Sequence, residues 1–226
     1  MKMRSSGNRL EYLVCLPVLL IVVGWVACST THGKVPPFAG KSQSSAAKEP
    51  QTAVLAGGCF WGVDAVFKHV KGVSSVVSGY SGGSAATAQY DIVSAGTTGH
   101  AESVKITFDP WQISYRELLR VFFSVATDPT QLNRQGPDTG TQYRSVIFYA
   151  NEDQKRTALA YIEQLNKAKV FSRPIVTQVV PLKAFYPAEG YHQNFLESNP
   201  NYPYCVYNDL PKLRELQKQF PDLYKN

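Results

Sequence analysis

The sequence predicts an α+β fold, a two-layer α/β sandwich carried behind an N-terminal export segment. Three observations point there. From residue 53 onward, strand-like and helix-like apolar patterns alternate in the order β-α-β-β-α-β-α-β. Capping residues mark two of the helix starts. Two long polar segments interrupt elements that are otherwise closely spaced, and loops of that length inside a compact domain are usually functional.

Ala53-Val54-Leu55-Ala56 reads as a short buried strand and Gly57-Gly58 as a tight turn, after which Val63, Val66, Phe67 and Val70 recur at helical spacing. Val73 to Gly79 is a valine-rich strand that ends in a glycine-rich loop. Val104, Ile106 and Phe108 alternate with Lys105 and Thr107 as in a half-buried strand. Ser114 followed by Glu117 is a capping box, and Tyr115, Leu118, Leu119 and Phe122 supply the apolar face of the helix it opens. Ser145 to Tyr149 is the next strand; Asn151 caps a helix whose Ala158, Tyr161, Ile162 and Leu165 face inward; Val176 to Val180 is the last strand. The first six elements follow the split β-α-β plan of ferredoxin-like sandwiches, with helices on one sheet face. The remainder reads as a coil-rich C-terminal tail. The long segments are Ser81 to His100 and Ala126 to Arg144.

The chain of 226 residues, 44% hydrophobic and 12% aromatic, is ample for a globular core and excludes a disordered protein. Its net charge of +6 owes part to Lys2, Arg4 and Arg9, and no basic run remains downstream that would suit nucleic acid. Those cations open a signal-like segment: an apolar stretch from Tyr12 to Ala27, containing Pro17 and Gly24, falls short of the roughly 20 residues of a spanning helix. Val26-Ala27-Cys28 resembles the end of a bacterial lipoprotein signal, in which the cysteine is lipidated, although Trp25 departs from the usual aliphatic residue. The expected location is the cell envelope, on the exported side of a membrane and held there by lipid on Cys28 or by an uncleaved anchor; secretion or a periplasmic location is the alternative. Residues 1–28 are thus a signal, 29–52, rich in Ser, Thr, Lys, Gly and Pro, a flexible tether, and 53–226 one domain, expected to be a monomer.

Of four cysteines, Cys15 and Cys28 belong to the signal, which leaves Cys59 and Cys205 in the exported domain. A buried cysteine is ordinarily a small inert hydrophobe. Cys59 has a different setting, in Gly58-Cys59-Phe60-Trp61-Gly62, where a strand turns into a helix. Helix N-terminal amides stabilise a thiolate, so a lowered thiol pKa and a nucleophilic sulfur are expected.

That block, together with Gly79-Tyr80-Ser81-Gly82-Gly83, Thr98-Gly99-His100-Ala101-Glu102 and Gly140-Thr141-Gln142-Tyr143-Arg144-Ser145, resembles in the same order the peptide methionine sulfoxide reductases of class A. The resemblance spans Val54 to Asn208. It implies reduction of methionine-(S)-sulfoxide, in oxidised proteins and as the free amino acid, by attack of Cys59 on the sulfoxide sulfur. The oxygen is a poor leaving group, so an acid must protonate it. By resemblance the acid is Glu102, Tyr90 and Tyr143 flank the oxygen, and Asp138 completes the hydrogen-bond network. Glu102 can donate at neutral pH only if burial raises its pKa. Phe60 and Trp61 offer ring faces to the methyl group and sulfur, against the alternative of ordinary packing.

Attack leaves a sulfenic acid, which condenses with a second thiol. Cys205 is the available thiol, in a Pro-rich segment expected to be mobile, and the resulting disulfide would be reduced by thioredoxin or another dithiol protein. The tail lacks the second cysteine of some relatives, so a permanent Cys59–Cys205 disulfide or a free Cys205 stays open. No bound cofactor is expected. His100 and His192, with Glu102 and Glu189 nearby, lack metal-ligand spacing and suit a supporting role better than a metal site. Two other functions remain: a cysteine hydrolase using His100 or His192 as base, and a redox-switch module built on the two thiols.

Overall fold

The computed structural model describes residues 34–40 and 49–225. The signal, Cys15, Cys28 and the rest of the tether lie outside the described residues. Among the described residues, no helix is long and apolar enough to cross a membrane.

The first strand, β1 (Gln51–Gly57), runs through the middle of the sheet and leads by Gly58 and Cys59 into α1 (Phe60–Lys68). Then come β2 (Val73–Ser81), a short helix α2 (Tyr90–Val93), β3 (Ala101–Phe108) and α3 (Tyr115–Val121), which continues as a π-helical turn over Phe122–Ala126. A two-residue hairpin, β4 (Arg134–Gln135) and β5 (Asp138–Thr139), precedes β6 (Ser145–Tyr149), α4 (Glu152–Lys167), β7 (Gln178–Pro181) and β8 (Tyr186–Pro187). The six-stranded sheet has the order β7-β6-β1-β3-β2-β8. Its central four strands are antiparallel in the ferredoxin-like arrangement, and β7 adds parallel to β6. Both caps form as the sequence predicts: Ser114 Oγ accepts from Glu117 N–H at 3.2 Å, and Asn151 Oδ1 from Gln154 N–H at 2.9 Å.

Strand alternation sorts β1 onto two cores. Ala53 and Leu55 join the helix-side core with Val66, Phe67, Ile106, Leu118 and Tyr161. Val54 and Ala56 face the opposite side, where Val146 and Phe148 pack under Leu182 and Phe185. Burial on both faces explains why β1 reads as continuous apolar residues. On β3, Val104, Ile106 and Phe108 face the helices. Two residues before Val104, Glu102 lies on that same inward face.

Two expectations need correction. Residues 34–40, assigned to the flexible tether, form a docked strap: Val35 is buried, Phe38 packs edge-on against Tyr161 at 5.6 Å, and the Pro36 carbonyl accepts from the Tyr161 hydroxyl. Gln164 clamps the strap from both sides, accepting from Ala39 N–H and donating to the Pro37 carbonyl, each at 2.8 Å. Proline-rich backbone has free carbonyls and little entropy to lose, so a few side chains suffice to hold it. The tail is not coil-rich. After a short α5 (Phe195–Ser198), a π-helical turn at Cys205–Asp209 runs into α6 (Leu210–Gln219), with Pro211 in its first turn. Leu210, Leu213 and Leu216 recur at helical spacing and pack inward, a signal masked by the polar residues around them.

Candidate active site

The turn between β1 and α1 sets the site. Gly58 has φ +102°, and a β-carbon on it would lie 2.6 Å from Gln135 Cβ, so only glycine permits this turn under the β4–β5 hairpin. Gly58→Ala is expected to cost about 1–3 kcal/mol and displace Cys59, read as a lowered denaturation midpoint with reduced activity.

Cys59 is the N-cap residue of α1 and is almost wholly buried. Its thiol pKa is not lowered, contrary to expectation. Burial raises it well above its ordinary value, and the Glu102 and Asp209 carboxylates add to the effect. The Trp61 backbone N–H does favour the thiolate, as a helix start should, but desolvation of the charged form outweighs one amide.

Glu102 is buried, and its Oε2 accepts from Phe60 N–H at 3.0 Å, next to the nucleophile in sequence. Burial drives its pKa up to about 8; the Phe60 amide opposes this and the Asp138 charge adds to it. The acid is therefore mostly protonated at neutral pH. A cleft of about 170 Å3 collects Cys59, Phe60, Trp61, Tyr90, Glu102, Asp138, Tyr143 and Tyr204. All the site residues expected from the sequence in this domain line it except Cys205.

The two long segments bring the tyrosines in. Tyr90 opens α2, and its backbone N–H donates to Glu189 Oε1 at 2.9 Å, while Tyr80 Oη donates to Glu189 Oε2 at 2.8 Å. Tyr143 sits in a 3-10 turn fastened by Arg144, whose guanidinium donates to the carbonyls of Gly99, His100 and Thr141 at 2.8–2.9 Å. Gln142 ties the same turn to the Ser94 carbonyl just after α2. Burial first, and then the Glu102 charge, raise the pKa of both hydroxyls, so both are neutral donors. Asp138 accepts from the Tyr204 hydroxyl.

Tyr204 was missed from sequence. Its only signal was adjacency to Cys205. His192 takes the supporting role expected of it over a metal site. Its Nδ1 accepts from Trp61 Nε1–H at 3.1 Å, and burial lowers its pKa, which keeps the acceptor free. Trp61 is also stacked on Phe195 with ring centroids 3.6 Å apart, and Phe60 lies 5.0 Å from the His192 ring. His100 is committed elsewhere: its Nδ1 accepts from Gly83 N–H at 3.2 Å and its Nε2 lies 2.9 Å from the Ser84 carbonyl. Neither histidine lines the cleft, which removes the basis for the hydrolase reading. Among the described residues, no three His, Cys, Asp or Glu side chains converge as metal ligands.

Cys205 is not in a mobile coil. It is fully buried in the π-helical turn, packed with Ala65 and Leu196 and flanked by Trp61, Leu210 and Leu213. Both thiols are free. Burial, and then the Asp209 charge, push the Cys205 thiol up to about 12.

A burial-tuned acid, neutral hydroxyl donors and a sulfur nucleophile around a small aromatic-floored cleft suit acid-assisted attack on a polar S–O group. Comparison with known proteins agrees. The family model described as peptide methionine sulfoxide reductase matches residues 51–224. A peptide methionine sulfoxide reductase MsrA 2 of Mesorhizobium japonicum is 61% identical over 179 residues, 79% of this chain and 92% of that protein. The corresponding protein of a Synechocystis species is 54% identical over 80% of this chain and 85% of its own length. Among solved structures, reduced Mxr1 of Saccharomyces cerevisiae superposes with a TM-score of 0.63 at 34% identity, over 68% of this chain and 88% of its own. Methionine sulfoxide reductase A of Corynebacterium diphtheriae gives 0.59 at 31% identity, over 75% and 87%. With the fold, the site and these relatives in agreement, the chain belongs to class A of the peptide methionine sulfoxide reductase family.

Proposed function

We propose that this protein reduces methionine-(S)-sulfoxide, protein-bound and free, to methionine. The observation that carries it is the Glu102 carboxyl, held protonated by burial in the same cleft as the Cys59 sulfur. The substrate methyl packs on Phe60 and Trp61, and its oxygen meets Glu102 and the tyrosine hydroxyls. Glu102 gives its proton to that oxygen as Cys59 bonds to the sulfur, and the vacated carboxylate takes the thiol proton. This exchange removes the need for a preformed thiolate. The protonated oxygen then passes from the substrate sulfur to Cys59 as the bond between the two sulfurs breaks: methionine leaves, its sulfur reduced by two electrons, and Cys59 is oxidised to a sulfenic acid.

Cys205 then condenses with that sulfenic acid, and a thioredoxin-type dithiol reduces the disulfide. Because Cys205 is buried apart from the cleft, the π-helical turn must first shift toward Cys59 as a unit, carrying Cys205 and Asp209 together; such turns are frequent at functional sites. The protein needs no bound cofactor and acts as a monomer. The cationic N-terminus, the short apolar stretch and Cys28 support action at the cell envelope, with lipid on Cys28.

Dithiothreitol-driven turnover of each sulfoxide epimer by the full chain tests the activity. Methyl, oxygen and sulfur each meet a fixed group, so one configuration is accepted; the family resemblance makes it the S epimer, which should be turned over in strong preference. Absence of Cys59-dependent turnover on either epimer sinks the reading.

A further inference from the structure

One buried ionisable group has no part in the chemistry above. Asp209 ends the π-helical turn that Cys205 begins, is wholly buried, and has no hydrogen-bond partner of full geometry on either carboxylate oxygen. An unpaired buried carboxylate is expensive, so its retention calls for a use. It presses against the first turn of α1: a β-carbon on Gly62 would lie 2.2 Å from Asp209 Oδ1, so that glycine is what admits the carboxylate. Lys212 Nζ would lie 2.9 Å from the same point, and its charge favours the ionised carboxylate. Cys205 and Asp209 are the two ends of that one turn, and each perturbs the other's proton affinity: the carboxylate raises the thiol and the thiol lowers the carboxyl.

We infer that Asp209 is the base for the resolving step, taking the thiol proton of Cys205 as that sulfur attacks the sulfenic acid on Cys59. The inference rests on the reading of Cys205 as the resolving thiol. Sulfur attacks as thiolate, and a thiol held near 12 carries its proton throughout the neutral range. A carboxylate facing that thiol removes the obstacle. Burial lifts Asp209 to about 6, which leaves it ionised at neutral pH and more basic than an ordinary aspartate. In the step, the Cys205 S–H bond breaks and its proton goes to Asp209. The Cys205–Cys59 S–S bond forms and the sulfenic S–O bond breaks. The departing hydroxide takes up a proton and leaves as water. Cys205 sulfur is oxidised and the sulfenic sulfur reduced, with no outside reactant.

The groups facing Asp209 are Cys205 and Tyr204 on its own turn, Lys212 on α6, Asp138 on β5 and Cys59 at the start of α1. Of these, Lys212 keeps Asp209 ionised and Asp138 opposes it.

The test is a single turnover of the full chain without reductant. It follows methionine release, dimedone-trappable sulfenic acid and loss of free thiols, in the unsubstituted protein, Asp209→Asn, Asp209→Glu and Cys205→Ser. The expected result for Asp209→Asn is unchanged release of one methionine with sulfenic acid that persists at least 10-fold longer, and partial recovery in Asp209→Glu. In the unsubstituted protein, disulfide formation should slow as pH falls through about 6, where Asp209 takes up its proton. Unchanged methionine release is the check that the variant is folded. Disulfide formation in Asp209→Asn as fast as, or faster than, in the unsubstituted protein overturns the inference. If that variant does not fold, a rate independent of pH between 5 and 7.5 in the unsubstituted protein overturns it. Sustained thioredoxin turnover by Cys205→Ser refutes the resolving thiol itself, a separate failure.

Discussion

Glu102→Gln lowers the rate of the first sulfoxide reduction by roughly 10²- to 10⁴-fold, the usual worth of a positioned proton donor, while substrate still binds. Glutamine fills the same space and can donate a hydrogen bond to the oxygen, but it cannot hand over a proton or take one from Cys59. The pH profile gives a second reading. In the unsubstituted protein the rate should fall as pH rises through about 8, because the acid form of Glu102 is lost there. In Glu102→Gln that limb disappears. With rising pH, stability falls in the same direction as activity. Between the ordinary 4.5 and about 8, the folded protein holds on Glu102 a proton that the unfolded chain has released. Stability from this group is complete below 4.5 and drains away as pH rises to about 8, at about 1.4 kcal/mol per unit. The glutamine variant carries no such penalty. At pH 8 to 9 it should denature at a higher urea concentration than the unsubstituted protein, and a variant that is less stable at that pH contradicts the assignment.

Cys205→Ser separates the two half-reactions. It should release one methionine per Cys59 at an undiminished rate and then stop, with thioredoxin-supported turnover reduced at least 100-fold. The removed sulfur is buried among Ala65, Leu196 and Leu210 and does not line the cleft, and serine keeps nearly its size behind Trp61, so the first step should proceed. Dithiothreitol, small enough to reach Cys59 directly, should restore part of the turnover. Quench-flow measurement of methionine against added thioredoxin checks the split, and full thioredoxin turnover would remove Cys205 from the mechanism.

Much of the site was legible because its residues obey local rules. Cys59 follows two glycines at a strand–helix junction, a pattern read without tertiary information. Glu102 shares the strand parity of Val104, Ile106 and Phe108, but its role was read from the family motif and its burial comes from the fold, since Ser103 on the other face is buried as well. The caps at Ser114 and Asn151 are local hydrogen bonds and form where expected. The strap at 34–40 and the tail helix were misread because their order comes from distant partners. Val35 is buried against the body of the domain, and the strap carbonyls are held by Tyr161 and Gln164, more than a hundred residues away. Tyr204, Glu189 and His192 carry no motif of their own; each acts through a residue far off in the chain.

The sequence by itself determined the element order, the ferredoxin-like sheet and, through four motif blocks, the family to which the chain belongs; it proposed Cys59 as nucleophile, and the family resemblance proposed Glu102 as acid. The elements depend on periodicity, the rest on motif residues at short spacing. Tertiary structure alone decided the protonation states and the place of the second thiol. Burial is a property of the whole fold, and it reverses what the helix start promised for Cys59, raising that thiol as it raises Glu102. It also buries Cys205 on the same turn as Asp209, the pair on which the proposed resolving step depends.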